Sequence, residues 1–286
     1  MEVITSAQNP KIKNLLLLQE KSKARREQGL FVVEGRRELE HCIEAGYKVH
    51  TVFVCTDIFR ASAPSDSADN YFSKGFSKNQ FSASSVLRHP SHTEAPVYEV
   101  SEQVYRKVAY RESTEGIIAE VEARHIGLNE LKLPENPLIV VLEAVEKPGN
   151  LGAVLRSADA AKADAVIVCD PLTDLFNPNL IRASIGAIFT VPTVAASSEE
   201  VIAWLQERGI QILTAQLQDS SLYYDTDLRR GTAIVMGTES TGLTDIWRRA
   251  ANAHIRIPML GHLDSLNVSV SAAILLFEAV RQRQGV

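Results

Sequence analysis

Residues Ile257–Ala273 read IPMLGHLDSLNVSVSAA and combine the end of an apolar strand, a polar loop and the start of a helix. We predict the strand at His254–Ile257 and the helix from about Asn267 to Arg283. Serine and asparagine are common N-cap residues, so Ser265 or Asn267 is a candidate cap for this helix. The helix begins with small residues, at Ser269, Ala272 and Ala273. The pattern therefore predicts a polar loop at a strand end, followed by a helix that another backbone can approach closely.

Two earlier loops also follow apolar strands. Pro148–Ser157 reads PGNLGAVLRS and opens a predicted helix, where backbone N–H groups and the helix dipole attract anions. Met236–Leu243 reads MGTESTGL and brings Glu239 to the end of a strand. Neither loop has the spacing of a dinucleotide fingerprint or a Walker loop. Taken singly, each loop has a structural alternative: Asn150 as a helix cap with Arg156 on the surface, and Glu239 as a first-turn acid.

Strands and helices alternate on both sides of these loops. This alternation predicts an α/β fold, with a mostly parallel C-terminal sheet that has helices on both faces. We place this domain at 138–286, after a proline-containing linker at 126–137, and a smaller α/β domain at 1–125. The predicted C-terminal elements are strands at Leu138–Leu142, Ala165–Val168, Ile210–Ala215 and Ala233–Met236, and helices at Asn150–Ala161, Asn177–Ser184 and Ser198–Arg208, the last of them exposed.

The smaller domain begins with a basic segment. We predict one amphipathic helix over Asn9–Gln28, followed by strands at Leu30–Val33, Val49–Cys55, Val97–Val100 and Gly116–Val121 and helices at Glu34–Ala45 and Ser101–Ala109. Between Ala61 and Ser91 the composition turns to Ser, Asp, Asn and Pro, which predicts a long loop.

Charge is distributed unevenly along the chain. The net charge is −5, which disfavours nucleic acid as a partner, but residues 10–37 carry eight Lys or Arg against three Glu. A local basic face can bind phosphates despite an acidic average, although a solvated helix face explains the same pattern. The candidate RNA-binding residues are Lys11, Lys13, Lys23, Arg25 and Arg26.

The three cysteines are scattered, and the seven histidines form no ligand cluster in the sequence. We therefore expect no disulfide framework and no metal site. The N-terminus has no signal-peptide pattern and no apolar run is long enough to cross a membrane. These features predict a cytoplasmic protein with no membrane partner.

No single loop identifies a family, but the combination of the three loops in this order does. NxGxxxR, GTExxGL and IPMxGxxxSLNVSVSA, in this order, resemble the three motifs of the SpoU or TrmH-like RNA ribose methyltransferases, and the resemblance covers residues 138–284, including the stretch 170–192. The segments SAQNPK (6–11) and FVVEGR (31–36) resemble a substrate-binding domain fused to such enzymes, which is similar to a ribosomal L30e-type module. Two positions depart from the family pattern: Lys147 replaces an acidic residue, and Lys162 replaces a glycine, which argues against a left-handed helix end there.

The resemblance implies a deep C-terminal trefoil knot, a homodimer with a shared active site and S-adenosylmethionine as cofactor. It implies that Gly237, Ile257, Met259 and Leu266 bind the cofactor, mainly through backbone atoms. Arg156 would lie at the target nucleotide, oriented by Asn150 and Asn267. Glu239 and Ser265 would fix the surrounding loops. The expected reaction is methylation of a ribose 2′-hydroxyl in structured RNA, and the fused domain favours ribosomal RNA over tRNA.

Three alternatives stay open at this point. The protein could methylate tRNA, or it could be a non-catalytic RNA-binding or ribosome-assembly protein on the same fold. A dinucleotide-dependent α/β enzyme is the third, although the glycine fingerprint and the ribose-binding acid of that class are missing. The retained cofactor separates these classes. A methyltransferase retains S-adenosylmethionine, a non-catalytic protein retains no cofactor, and a dinucleotide-dependent enzyme retains a nicotinamide.

Overall fold

A computed structural model describes residues 2–62, 95–110, 115–238 and 241–284, and it divides them into two compact units. The first unit contains the described residues up to Arg124 together with Phe176–Arg182. The second contains His125–Leu175 and the residues from Ala183 onward. Within the described ranges, no helix is long and apolar enough to cross a bilayer.

The first unit is built on a mixed five-stranded sheet with the order β1-β4-β3-β5-β2. Its strands are β1 (Glu2–Ile4), β2 (Leu30–Glu34), β3 (Val49–Val54), β4 (Val97–Val100) and β5 (Ile117–Glu122). Its helices are α1 (Pro10–Glu20), α2 (Ser22–Gln28), α3 (Arg36–Glu44), α4 (Thr56–Ala61) and α5 (Glu102–Val108). β5 runs antiparallel to β2 and β3, while β4 runs parallel to β1 and β3.

The single helix predicted over Asn9–Gln28 is wrong, because the chain becomes extended at Lys21 and forms two helices. The Arg25 side chain explains the break. Its Nη1 donates to the carbonyl oxygens of Leu18 (2.6 Å) and Gln19 (3.1 Å), which the end of α1 leaves without helical partners. Apolar periodicity cannot detect such a break, since both helices keep their buried face toward the same core. Most of the predicted serine-rich loop, at 63–91, lies outside the described residues.

The second unit is a seven-stranded parallel sheet with the order β10-β12-β9-β11-β6-β7-β8. Its strands are β6 (Leu138–Glu143), β7 (Ala165–Cys169), β8 (Thr193–Ala196), β9 (Gln211–Ala215), β10 (Ser221–Leu222), β11 (Thr232–Met236) and β12 (Ala253–Arg256). The helices in this part of the chain are α6 (Pro148–Ala160), α7 (Pro178–Ser184), α8 (Ala187–Thr190), α9 (Ser198–Glu207), α10 (Asp245–Ala250) and α11 (Val268–Gln284). Most of α7 belongs to the first unit, since that unit contains Phe176–Arg182.

Every residue of β6, β7 and β11 is buried, as expected for parallel strands covered on both faces. The predicted mostly parallel α/β fold is therefore confirmed. α9 is amphipathic rather than exposed, because Val201, Trp204 and Leu205 are buried. The segment predicted as a linker forms a 3-10 turn at Leu128–Glu130. Its residues Leu128, Leu131 and Leu133 pack against the hydrophobic core of the second unit.

The end of α6 is left-handed at Lys162, with φ +53°, although the residue is not glycine. The N–H of Lys162 donates to the Asp159 carbonyl (3.0 Å), and the N–H of Ala163 donates to the Ala158 carbonyl (2.8 Å). This is the bond pattern of a Schellman end, which satisfies two carbonyls that the helix cannot. The expectation of no left-handed end at Lys162 was wrong, because the capping bonds outweigh the steric cost of the side chain.

Candidate functional site

The carboxyl ends of β9, β11 and β12 lead directly into a cleft of about 360 Å³. Because parallel strands end at the same edge of a sheet, the loops that follow them meet there. From the loop after β11, Gly237 and Leu243 line the cleft, and from the loop after β12, Ile257, Met259 and Leu266 do so. All four predicted cofactor-binding residues thus lie on one cavity, which they share with Ser265.

The loop after β11 is folded tightly on itself. The Gly242 N–H donates to the Thr238 carbonyl (3.0 Å), and the hydroxyls of Thr238 and Thr241 lie 2.7 Å apart. A Cβ on Gly237 would lie 2.6 Å from Leu243 N and closer still to the Gly242 carbonyl. Glycine is therefore required at position 237, because no side chain fits between the two ends of the loop. Glu239, a predicted catalytic residue, lies outside the described residues.

The third motif contacts the first through two asparagines. Asn267 Nδ2 donates to Asn150 Oδ1 over 3.1 Å, between residues 117 positions apart in the chain. Asn267 Oδ1 accepts from the N–H of Ser269 (2.9 Å), so Asn267 also caps α11. α6 begins at Pro148, with Lys147 as its cap, and the alternative of Asn150 as the N-cap is therefore wrong.

A second cavity of about 250 Å³ adjoins the cleft. It is lined by Val145, Glu146, Lys147 and Asn150, and by three residues that also line the larger cleft, Gly237, Thr238 and Val268. Lys147, one of the two departures from the family pattern, thus lies in the wall beside the cleft. The first and third motifs meet at this smaller cavity.

Arg156, the principal predicted catalytic residue, is exposed on α6. Among the described residues, none forms a hydrogen bond or an ion pair with its guanidinium group. An exposed guanidinium on a helix that starts at the site can hold a phosphate oxygen pair. Arg156 thus lies on the same helix as Asn150, which contacts the third motif.

The predicted RNA-binding residues separate into two groups. Lys11, Lys13, Lys23 and Arg26 are exposed on α1 and α2. Arg25 is only 5% exposed and its guanidinium donates to the end of α1, so its prediction as an RNA contact was wrong. The basic pattern in the sequence could not distinguish a capping arginine from a surface one.

Several lining residues escaped the sequence analysis. Gln216, Arg248 and Arg256 all line the large cleft, and the buried Gln216 Oε1 has no hydrogen-bond partner among the described residues. Gln216 directly follows β9 and Arg256 is the last residue of β12, so a rule that inspects every strand end would have found both. Arg248 lies on α10, a helix of six residues that apolar periodicity did not reveal.

The cleft suits a molecule with apolar and hydrogen-bonding parts. Its volume falls within the range typical of small-molecule sites, roughly 300–1,000 Å³. Methionine, leucine and isoleucine side chains form part of the wall, while Gln216 supplies a buried acceptor. These features fit the adenosyl and thioether parts of S-adenosylmethionine. Within the described residues, no three His, Cys, Asp or Glu side chains come together as metal ligands.

The three cysteine thiols are free and buried. Burial raises the pKa of the Cys42 and Cys169 thiols far above the ordinary value, so both stay protonated. A protonated, buried thiol is a poor nucleophile and a poor metal ligand. These two cysteines are therefore packing residues.

Comparison with known proteins places this geometry in a family. Residues 137–277 match the model of the SpoU rRNA Methylase family, and residues 9–119 match that of the MRM3-like substrate binding domain. The 23S rRNA (guanosine-2′-O-)-methyltransferase RlmB of Bordetella pertussis is 39% identical over 176 residues, which cover 60% of this chain and 72% of the relative.

Solved structures agree over nearly the whole chain. A crystal structure of an RNA 2′-O ribose methyltransferase is 38% identical, with a TM-score of 0.78 and 99% of both chains covered. An AdoMet-bound rRNA methyltransferase from Sinorhizobium meliloti is 29% identical, with a TM-score of 0.82 and coverage of 98% of this chain and 97% of the other. The resemblance inferred from the three motifs is confirmed, and the chain belongs to the SpoU rRNA methylase family.

Proposed function

We propose that this protein is an S-adenosylmethionine-dependent methyltransferase that methylates a ribose 2′-hydroxyl in ribosomal RNA. One observation carries the proposal: the second and third motif loops line a single cleft, and the Asn267–Asn150 bond ties that cleft to the first motif. Three loops that are far apart in sequence thus meet at one sheet edge. The names of the relatives, which act on 23S rRNA or RNA ribose, support the same activity for this chain.

In the proposed mechanism, Gly237, Ile257, Met259 and Leu266 hold the cofactor. When bound, S-adenosylmethionine supplies a methyl group activated by a positively charged sulfur. The ribose 2′-oxygen would accept this methyl group, and the carbon–sulfur bond electrons would stay on sulfur as a neutral thioether. Alignment of the acceptor accounts for a large part of the rate enhancement in such transfers. Glu239 and Ser265 fix the loops that provide this alignment.

Arg156 holds a phosphate of the RNA beside the target ribose, and Asn150 and Asn267 orient it. An arginine guanidinium stays protonated in proteins and is therefore a poor base. We propose the phosphate held by Arg156 as the group that accepts the proton of the 2′-hydroxyl. No metal is needed in this scheme.

The N-terminal domain, which we place at 1–125, supplies affinity for RNA. Its exposed basic residues on α1 and α2 are Lys11, Lys13, Lys23 and Arg26. Phosphate contacts of this kind give affinity without sequence specificity. Its mixed sheet with flanking helices is consistent with an L30e-like module, which we propose for this domain.

We further propose a C-terminal trefoil knot and a homodimer whose active site is shared between subunits. After β12, which lies second from one edge of the sheet, the chain returns to pack α11 against α6, a path that is compatible with a knot. α11 exposes Val270 (46%) and Phe277 (49%), and the loop before it exposes Leu260 and Leu263. Exposed apolar side chains of this kind suit a subunit interface. Sedimentation that gives a monomer at micromolar concentration would contradict the shared site.

Mapping of 2′-O-methylation in cells with and without the gene tests the proposed function. We expect one ribosomal position to lose its methyl group when the gene is removed. Loss at a tRNA position instead would favour a tRNA enzyme, and no change in any RNA would favour a non-catalytic assembly protein. A cytoplasmic location is part of the proposal, because ribosomal RNA is the substrate.

A further inference from the structure

Glu143 is the last residue of β6, and only 4% of its surface is exposed. It was not among the residues predicted for the site. β6 lies beside β11, with Leu142 opposite Met236, so the loop after β11 starts next to Glu143. A buried carboxylate must be satisfied by hydrogen bonds, because burial without them is costly. The partners of Glu143 therefore indicate its role.

Two of these partners belong to Thr244, where the loop after β11 ends. The Thr244 N–H donates to Glu143 Oε2 over 2.8 Å, and Thr244 Oγ1 donates to Glu143 Oε1 over 2.6 Å. Both carboxylate oxygens of Glu143 thus accept a hydrogen bond from Thr244, which lies 101 positions away in the chain. The loop leaves the sheet beside Glu143 and returns to it, which brings Gly237 against Gly242.

The Ser198 hydroxyl supports this arrangement from the other side. It lies 2.6 Å from Asp170 Oδ2 and 3.4 Å from Glu143 Oε1, and it accepts from Trp247 Nε1 over 3.0 Å. Since the shorter contact takes the hydroxyl proton, Ser198 donates to Asp170 and leaves Glu143 to Thr244. Trp247 is fully buried on α10, so the network also fixes the helix that carries Arg248 into the cleft.

We infer that Glu143 is a positioning residue for the cofactor cleft, which holds the segment from Gly242 to Thr244 in place through its two bonds to Thr244. This inference rests on the proposed function, since it takes the cleft as the S-adenosylmethionine site. Glu143 itself is not among the described residues that line the cleft or the smaller cavity. It acts through Thr244 and, beyond it, through Leu243 and Gly242, which line the cleft.

Calorimetry with S-adenosylhomocysteine on Glu143→Met tests the inference. This variant keeps the shape of the side chain but removes both acceptors, and we expect affinity to fall roughly tenfold, the effect of about one lost charged hydrogen bond. Glu143→Gln keeps one acceptor for the Thr244 N–H and should lose about threefold or less. Glu199→Met, on the exposed first turn of α9, is the matched control and should bind like the wild type.

Thr244 provides a second route if Glu143→Met does not fold. Thr244→Val removes only the hydroxyl and should weaken binding about threefold, whereas Thr244→Ser keeps the hydroxyl and should restore affinity. Hydrogen exchange at the amides of Gly242 to Thr244 should accelerate in the valine variant and not in the serine variant. A residue that merely stabilised the fold would lower the melting temperature and leave the affinity of the folded protein unchanged.

Wild-type affinity in both Glu143→Met and Thr244→Val, measured on folded protein, would overturn the inference while the proposed function stands. Failure of the wild-type protein to bind S-adenosylhomocysteine or S-adenosylmethionine would overturn the proposed function and this inference with it. Weaker binding in Glu143→Met and Thr244→Val, with rescue by Thr244→Ser, is the result that the geometry predicts.

Discussion

Replacing Gly237 by alanine is the perturbation whose effect follows most directly from the geometry of the cleft. The added Cβ would lie 2.6 Å from Leu243 N, whereas ordinary contact begins near 3.4 Å, so the two ends of the loop must separate by at least about 0.8 Å. The Gly242 carbonyl is closer still, and it is rigid backbone. Overpacking of this kind costs about 1–3 kcal/mol. For a unit of this size that corresponds to a fall in melting temperature of about 2–12 °C.

The effect on the cofactor should exceed the effect on stability, because Gly237, Thr238, Thr241 and Gly242 all line the cleft. We expect Gly237→Ala to remain folded at 20 °C and to bind S-adenosylhomocysteine at least tenfold more weakly, about 1.4 kcal/mol or more. Calorimetry and thermal unfolding on the same preparation separate the two effects.

Gly261→Ala is the matched control for this measurement. Gly261 lies in the loop before α11, and a Cβ at that position would meet no atom within 4 Å. We expect its stability to stay within about 0.5 kcal/mol of the wild type, as for most surface substitutions. Wild-type cofactor affinity in folded Gly237→Ala would refute the argument that the loop ends must touch for the cleft to bind.

Three further predictions use other parts of the molecule. Arg156→Ala should reduce single-turnover methyl transfer by about two to three orders of magnitude and leave thermal unfolding unchanged, and Arg156→Lys should restore little because an ammonium cannot grip a phosphate bidentately. Normal turnover would remove Arg156 from the mechanism. Lys162→Gly should raise the free energy of unfolding in urea by up to about 1 kcal/mol, because the residue is left-handed; no gain would mean that the lysine side chain compensates. The double variant Lys13→Gln with Arg26→Gln should lower the salt dependence of RNA binding. Arg25→Gln should instead lower the melting temperature and leave that salt dependence unchanged. An unchanged salt dependence in the double variant would show that Lys13 and Arg26 belong only to a solvated helix face.

The sequence predicted the longer strands and helices well because each has strong local signals. β6, β7 and β11 are continuous apolar runs, and α11 follows a capping asparagine. Several short elements gave no such signal, although the four-residue strands β4 and β12 were predicted. Six elements of two to six residues were not predicted, since their existence depends on tertiary packing rather than on periodicity. They are β1, α4, α8, β8, β10 and α10.

The site was predicted from the motifs, and the limits of that approach are visible in particular residues. Gly237, Ile257, Met259, Ser265 and Leu266 meet at one cleft as expected. Which loops share a cavity depends on strand order, which one sequence does not contain. Glu143 was overlooked for the same reason.

Arg25 was misassigned because the sequence gives its charge but not the two carbonyls that it caps. Lys162 was misjudged because left-handed ends favour glycine without requiring it. In both cases the deciding interaction is a backbone hydrogen bond that no composition or spacing reports.

Methyl transfer from labelled S-adenosylmethionine to protein-free 23S rRNA is the most direct test of the proposed function. A 2′-O-methyl group blocks alkaline cleavage of the RNA backbone at its own nucleotide, so the position of the label can be read from the alkali-resistant product. We predict label at one nucleotide, in an alkali-resistant dinucleotide, and its absence with Arg156→Ala. Label released as an ordinary mononucleotide, or no transfer by folded protein that binds the cofactor, would contradict the assignment of a ribose 2′-hydroxyl methyltransferase.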